Sequence, residues 1–142
     1  MKLLILNGPN LNLLGLREPS VYGDQDYAAL EAHIDRVCRE NHVQYELRQS
    51  NHEGDLVDWI QGARGRFDGI ILNPAAYTHT SIAILDALRA VALPAVEVHL
   101  TEPMEREAFR RVSYAGMACR ARFAGQGFES YTLAIRYFVS KA

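Results

Sequence analysis

The stretch "DGIILN", residues 68–73, is an apolar run that ends on Asn73. A short continuous apolar run bounded by turn residues is typical of a strand buried on both faces of a parallel sheet. "KLLILN" at residues 2–7 has the same character, and "PAVEVH" at residues 94–99 is a similar run that a proline opens. "VQYELRQS" at residues 43–50 alternates apolar and polar side chains, which indicates a more exposed strand.

Helical patterns lie between these four predicted strands. Apolar residues recur at spacings of three and four in residues 26–41, and comparable patterns predict helices at residues 53–64, 81–92 and 130–141. The segment after the fourth strand is less regular until the last of these helices begins. The alternation predicts an α/β fold, a flavodoxin-like doubly wound parallel sheet flanked by helices on both faces.

Composition limits the functions that this fold can serve. The 142 residues are 49% hydrophobic and 23% charged, with a formal net charge of −2, so residues 1–142 are predicted to form a single domain. Lysines and arginines are scattered along the sequence, so we predict no basic patch that would bind nucleic acid or an anionic membrane surface. The apolar N terminus stops at "NGP", residues 7–9, short of a signal peptide or a membrane span. A cytoplasmic protein that binds a small molecule is expected.

Ligands of doubly wound folds bind beyond the carboxyl ends of the strands, where the strand order reverses. The sequence places turn-forming and polar residues at these predicted ends: Asn7, Gly8, Pro9 and Asn10 after the first strand, Asn73 and Pro74 after the third, and Glu97, His99 and Thr101 at the fourth. We therefore expect the ligand site at this edge of the sheet.

Two of these residues suit acid–base chemistry. Glu97 and His99 lie two residues apart on a strand and point to the same face. A carboxylate there fixes the tautomer of the imidazole or raises its basicity. The alternative is a strand-end histidine that bonds to solvent or backbone.

Other candidates have structural alternatives as well. His79, on a turn that leads into a helix, is either a ligand-binding or a structural histidine. Arg106, Arg110 and Arg111 surround Phe109, and such arginines form a solvated face unless one of them holds a substrate carboxylate through two hydrogen bonds.

Several familiar chemistries have no support in the sequence. GxxxxGK[ST], GxGxxG and GxSxG are all absent, which argues against a phosphate loop, a dinucleotide site and a hydrolase nucleophile. His79, Glu97 and His99 can in principle bind zinc, but they lack the HExxH spacing. Cys38 and Cys119 have no ligand-like spacing either. No metal or other cofactor is expected.

Four segments together resemble one known family. They are "LNGPNLNLLGLREPSVYG" at residues 6–23, "ILNPAAYTHTS" at 71–81, "VEVHL" at 96–100 and "EREAFRRVSY" at 105–114. Their order and separations resemble those of type II 3-dehydroquinate dehydratases, over nearly the whole chain. The resemblance implies a metal-independent hydro-lyase that eliminates water from 3-dehydroquinate through an enolate, giving 3-dehydroshikimate. The reaction serves either the shikimate pathway of aromatic biosynthesis or quinate breakdown.

The resemblance also implies a role for each matching catalytic residue. Tyr22 is the base, as a tyrosinate on a mobile lid, and the positive charge of Arg17 on the same lid favours that anion. His99, oriented by Glu97, is the general acid that protonates the departing hydroxyl. Asn10 orients a water molecule against the developing enolate oxygen.

Substrate-binding residues are implied in the same way: Asn73, His79, the backbone around Leu100 and Thr101, and Arg110. Asp86 matches a residue that the family lends to a neighbouring subunit. The implied assembly is therefore a homo-oligomer, whose usual form is a dodecamer built from trimers.

The chain departs from the family pattern at three positions. Thr101 and Glu102 follow the fourth strand where many relatives carry Ser and Asn, and the extra methyl of Thr101 can tilt the carboxylate site. Ala75 stands where Gly is common, which matters only if the backbone there needs a positive φ.

Two other functions remain open on the same fold. A flavin-binding electron carrier uses the same strand ends, although the "GPNLN" loop offers little Ser or Thr for a phosphate. A non-catalytic regulatory domain is the other, because a fold does not determine a function.

Overall fold

The computed structural model describes residues 1–16 and 25–142. Its strands are β1 (Lys2–Asn7), β2 (Gln44–Gln49), β3 (Gly69–Asn73), β4 (Ala95–His99) and β5 (Ala121–Ala124). Its helices are α1 (Tyr27–Glu40), α2 (Glu53–Gly62), α3 (Ile82–Val91) and α4 (Glu129–Lys141). The strands pair in parallel in the order β2-β1-β3-β4-β5, which is the flavodoxin-like order. The predicted fold class is confirmed.

Helices cover both faces of this sheet. Helices α1 and α4 pack on one face, against a core that includes Leu3 and Ile71. Helices α2 and α3 pack on the other, where the core includes Leu4 and Ile70. Neighbouring residues on a strand point to opposite faces, so a strand with helices on both sides needs a continuous apolar run. That need explains the sequences of β1 and β3.

Side-chain caps set the starts of two helices. The Asp26 carboxylate accepts a 2.8 Å hydrogen bond from the Ala29 amide at the start of α1. The Ser81 hydroxyl accepts a 3.0 Å bond from the Ile84 amide at the start of α3. Asp and Ser satisfy amides that the helix itself leaves without a partner. Helix α3 therefore begins directly after the turn that follows β3.

The fifth strand is a correction to the sequence analysis, which predicted four strands and an irregular segment up to the last helix. Strand β5 is four residues long, none of them fully buried, so it has no apolar run that predicts a strand. It forms at the sheet edge because its backbone pairs with β4. Short 3₁₀ turns at Pro103–Glu105, Ala108–Arg110 and Ala115–Ala118 fill the segment before it.

Strands β1 and β3 end level with each other, because Asn7 and Asn73 are register partners. The chain passes closely above these ends: the Gly8 amide donates a 2.8 Å bond to the Asn73 carbonyl, and a Cβ at Gly8 would collide with the Pro74 carbonyl oxygen. Only glycine permits this approach. Across the two described ranges, no helix is long and apolar enough to span a bilayer.

Candidate active site

A cleft with a cavity volume of about 150 Å³ lies at the carboxyl edge of the sheet, above β1, β3 and β4. Seven of the predicted site residues line it: Asn10, Asn73, His79, His99, Leu100, Thr101 and Arg110. These residues come from segments as far apart as residues 10 and 110, so it is the fold that brings them together. Their individual roles in binding and catalysis stay predictions.

His99 and Glu97 form a buried pair beneath the cleft. The Nε2 atom of His99 lies 2.7 Å from Oε2 of Glu97, and the two residues are 5% and 1% exposed. The Ser113 hydroxyl donates a 2.6 Å hydrogen bond to the same carboxylate oxygen. Because an ionised carboxylate only accepts, Nε2 of His99 carries the proton in this pair and Nδ1 is the nitrogen that Glu97 leaves free.

The surroundings of Glu97 keep it ionised. Burial is the largest influence and raises the pKa of its carboxyl group. The hydrogen bond and charge of His99, the bond from Ser113 and the charge of Arg122 act in the opposite direction and outweigh burial. The pKa of Glu97 therefore lies below its ordinary value, and the carboxylate can orient a histidine at neutral pH.

His79 extends into the cleft from the 3₁₀ turn Ala75–His79. Its Nδ1 lies 2.7 Å from the Val112 carbonyl oxygen, which can only accept, so Nδ1–H donates and Nε2 keeps its lone pair. Partial burial lowers the pKa of His79; the bond to Val112 opposes this, while the charges of His99 and Arg110 lower it further. His79 is therefore neutral at neutral pH. Its Nδ1–H donates to the Val112 carbonyl, and its Nε2 can accept a hydrogen bond from a ligand.

A buried hydrogen-bond network holds Asn73. Its Nδ2 donates to the Tyr131 hydroxyl at 3.0 Å, and that hydroxyl donates to Oδ1 of Asn7 at 2.6 Å. Asn7 in turn donates to the Tyr27 hydroxyl at 3.2 Å. Each side chain has at least one hydrogen-bond partner, as buried polar groups require. The sequence analysis placed residue 131 only within the predicted helix at residues 130–141 and gave Tyr131 no role at the site.

Two residues of the cleft have left-handed backbones. Asn10 has φ 69°, a conformation that Asn adopts more readily than most residues, and its amide donates a 3.0 Å bond to the Asn51 side chain. Ala75 has φ 53°, and its amide donates a 3.1 Å bond to Oδ1 of Asn73. The position of Ala75 therefore does require the positive φ for which Gly is suited.

Two arginines contribute guanidinium groups to the lining of the cleft. Arg106 and Arg110 both line the cleft, and Nε of Arg110 bonds to a carboxylate oxygen of Glu107 at 2.7 Å. Arg111, the third arginine of this segment, is exposed and does not line the cleft. These arginines lie in and around a 3₁₀ turn rather than in a longer helix. A guanidinium pair of this kind suits a carboxylate ligand.

The predicted residues Arg17 and Tyr22 lie outside the described residues. Asp86 is exposed on α3 and is not a lining residue. Within residues 1–16 and 25–142, no group of three or more His, Cys, Asp or Glu side chains is arranged to hold a metal ion.

Sequence comparison decides the family. The family model for dehydroquinase class II matches residues 1–139. The chain belongs to this family. The family assignment made from the four motifs is thus confirmed, and with it the prediction that the protein is an enzyme of the hydro-lyase class.

Individual relatives agree with this assignment. A 3-dehydroquinate dehydratase from Geotalea daltonii is 51% identical over 136 residues, which cover 96% of this chain and 94% of the relative. The crystal structure of type II dehydroquinase from Butyrivibrio crossotus superposes with a TM-score of 0.94 at 44% identity, covering 99% of this chain and 97% of the other. The corresponding structure from Propionibacterium acnes gives a TM-score of 0.93 at 37% identity, with coverages of 98% and 96%.

Proposed function

We propose that this protein dehydrates 3-dehydroquinate to 3-dehydroshikimate by an anti elimination through an enolate. The observation that carries the proposal is the buried His99–Glu97 pair beneath a cleft with an arginine-lined wall. Such a site offers a general acid and a place for a carboxylate within one small cavity. Membership of the dehydroquinase class II family supports the choice of substrate.

Proton removal is assigned to Tyr22, on the strength of the family resemblance. A free tyrosine has a pKa of about 10 and is mostly protonated at neutral pH. The nearby charge of Arg17 is proposed to favour the tyrosinate, which takes the proton and leaves an enolate. A water molecule held by Asn10 then stabilises the charge on the enolate oxygen.

Proton donation is assigned to His99, which protonates the hydroxyl as it leaves. The ionised carboxylate of Glu97, at 2.7 Å, accepts a hydrogen bond from Nε2–H of His99 and holds the ring in one orientation. Its Nδ1, which Glu97 does not engage, is the atom proposed to donate. Because burial keeps water away from the pair, Glu97 acts on His99 more strongly than an exposed carboxylate would.

Substrate binding is assigned to the residues that line the rest of the cleft. Arg110, Thr101 and the backbone of Leu100 are proposed to hold the carboxylate, and Asn73 and His79 the hydroxyls. The neutral state and free Nε2 of His79 suit a hydroxyl donor. The network behind Asn73 fixes its side chain before substrate arrives, which lowers the entropy cost of binding.

Assembly is proposed to complete the site. Asp86 lies on the surface of its own chain, on a helix whose other described side chains are mainly apolar, and the family resemblance assigns it to a neighbour's active site. A homo-oligomer, in the family's form a dodecamer of trimers, follows from this assignment. Light scattering checks it, and a fully active monomer would refute the shared site. The cytoplasmic location also stays a prediction.

An assay of the purified protein tests the function directly. Incubation with 3-dehydroquinate is expected to produce the absorbance of a conjugated enone, with the same rate after dialysis against EDTA. Tyr22→Phe is expected to lower kcat by ~10²–10⁴-fold while substrate still binds in calorimetry. Tyr45→Phe is the matched control, because Tyr45 lies on the edge strand β2 and bonds to Asp35.

The outcomes separate this function from its rivals. Near-normal turnover in Tyr22→Phe would transfer the role of the base to another residue, such as His79 or His99. No enone product from the wild-type protein would overturn the proposed function. A yellow protein with a flavin spectrum would favour the electron carrier.

A further inference from the structure

The second carboxylate oxygen of Glu97 has an unusual environment. Oε2 accepts from His99 and Ser113, whereas Oε1 is buried and has no hydrogen-bond partner among the residues that the structure describes. A buried anionic oxygen without a partner is costly, so a compensating charge is expected nearby. Arg122 supplies one: its Nε lies 3.7 Å from Oε1.

The register of the sheet places Arg122 there. Glu97 on β4 and Arg122 on β5 are direct partners in neighbouring parallel strands, so their side chains leave the same face of the sheet. Gly116 makes room for the carboxylate, because a Cβ at this position would stand 2.6 Å from Oε1. Oε1 thus lies close to both a glycine and a guanidinium.

Arg122 is itself held in place by Glu102. Its two terminal nitrogens bond to the two carboxylate oxygens of Glu102 at 3.1 and 2.6 Å. Glu102 also accepts a 3.0 Å bond from the Met104 amide, which fixes the turn after Thr101. A paired guanidinium loses little freedom per bond formed, because its fork is planar. Arg122 therefore has a defined position beside the catalytic pair and beside the loop that lines the cleft.

We propose that Arg122 is a positioning residue for the general acid, acting on His99 through Oε1 of Glu97. The inference rests on the proposed dehydration. With the guanidinium in place, Glu97 keeps both oxygens in defined environments and the carboxylate plane stays fixed. Without it, the buried Oε1 has no compensating charge, so the carboxylate rotates or takes up a proton and His99 loses its orientation.

Other charged groups around the pair do not replace Arg122. His79 and Arg110 line the cleft rather than contact Oε1 of Glu97, and His79 is neutral at neutral pH. Cys119 lines a second cavity together with Glu97 and Arg122. Burial raises the pKa of its thiol to about 12, so it carries no charge at neutral pH. Among the described residues, Arg122 is the cation in an ion pair with Oε1 of Glu97.

Steady-state kinetics with three single variants test the proposal. Arg122→Met keeps an unbranched stem and removes the guanidinium and its charge. We expect kcat to fall about tenfold with KM changed less than about threefold. Arg122→Lys restores a charge without the fork and is expected to recover kcat to within about threefold of wild type. Arg120→Met is the matched control, an exposed arginine just before β5, and is expected to leave kcat unchanged.

A double-mutant cycle supplies the decisive comparison. If Arg122 acts through Glu97, then Arg122→Met should change kcat by less than about twofold in a Glu97→Gln background. Equal losses in both backgrounds, or a normal kcat in Arg122→Met, would overturn the proposal. A larger loss in Arg120→Met than in Arg122→Met would overturn it too.

An NMR measurement separates this inference from the proposed function. Side-chain ¹⁵N shifts report the tautomer and hydrogen bond of His99 without any turnover. They are expected to change in Arg122→Met, to return toward wild type in Arg122→Lys and to stay constant in Arg120→Met. Unchanged shifts in Arg122→Met would refute the positioning role, whereas altered shifts in a protein inactive toward 3-dehydroquinate would refute only the proposed function.

Discussion

The middles and the ends of the central strands are equally buried but chemically opposite. Ile5 and Ile71, in the middles of β1 and β3, are fully buried in an apolar core. Asn7 and Asn73, at the ends of the same strands, are 0% and 3% exposed and are polar. Apolar burial is non-directional, so many neighbours satisfy an isoleucine, whereas a buried asparagine needs particular partners at particular distances. The strand middles stabilise the fold and the strand ends fix the geometry of the cleft.

Tyr131 connects the two regions. Its ring is fully buried in the core between the sheet and α4, while its hydroxyl bonds to both asparagines. A single side chain thus contributes apolar area to the fold and a hydrogen bond to the site. Substitutions at the strand ends should therefore reduce activity, substitutions in the strand middles should reduce stability, and substitutions of Tyr131 should reduce both.

The largest effect is expected at the end of β4. His99→Ala removes the proposed acid and should lower kcat by ~10²–10⁴-fold, with a smaller change in the thermal midpoint. His52→Ala, an exposed histidine whose side chain makes no capping bond to α2, serves as the control and should retain wild-type kcat. Enone absorbance and thermal denaturation measure the two quantities. A normal kcat in His99→Ala would show that the strand end does not carry the acid.

In the middle of the sheet we expect a smaller effect, which falls on stability rather than on activity. Ile70→Ala truncates a fully buried side chain and should lower the free energy of unfolding by about 2–5 kcal/mol, because transfer and cavity costs add. The kcat of the folded enzyme should be unchanged. Leu133→Ala, on the exposed side of α4, should cost much less. Urea denaturation is the measurement, and a large fall in kcat without loss of stability would contradict the separation of roles.

Tyr131→Phe should affect both properties moderately. The ring still packs, but Asn7 and Asn73 lose a hydrogen-bond partner in a buried site, which should cost about 1–3 kcal/mol of unfolding free energy. KM should also rise, because Asn73 is no longer held toward the cleft. Tyr27→Phe is the control, since among the described residues the hydroxyl of Tyr27 bonds to Asn7 and not to Asn73. Equal effects of the two variants would show that Tyr131 has no special position.

The smallest effect is expected at Ala75. Its φ of 53° costs a residue with a Cβ about 1–2 kcal/mol, and glycine removes that cost while adding entropy to the unfolded chain. Ala75→Gly should therefore stabilise the protein slightly, by less than about 1 kcal/mol, and leave kcat unchanged. Ala92→Gly, at the φ of 55° that ends α3, should behave similarly away from the cleft. Calorimetric unfolding of both variants measures the change, and destabilisation of both would contradict the strain argument.

Local sequence patterns predicted the strands that are stabilised by apolar burial, because such burial needs no particular partner residue. Apolar runs indicated β1, β3 and β4 because any strand covered on both faces must be apolar along its length. Strand β5 could not be predicted in this way, since its four residues are only partly buried and its pairing with β4 is a property of the assembled sheet.

The contacts of the candidate site also differ in whether a local sequence pattern predicts them. Glu97 and His99 were predicted as a pair because a spacing of two on a strand already places them on one face. The bond from Ser113, 16 residues from Glu97, and those from Tyr131, 58 and 124 residues from its asparagines, depend on tertiary contacts that carry no local pattern.

The sequence by itself determined the alternation of β1 to β4 with the helices, the polar strand ends and, through its four motifs, the family. Only the tertiary structure decided which arginines line the cleft, that Ala75 needs a positive φ and that Arg122 lies beside Glu97. The physical reason is that hydrophobic periodicity records which faces of an element avoid water. Hydrogen bonds and ion pairs between elements instead depend on strand register and on distances of a few ångströms, which form only when the sheet assembles.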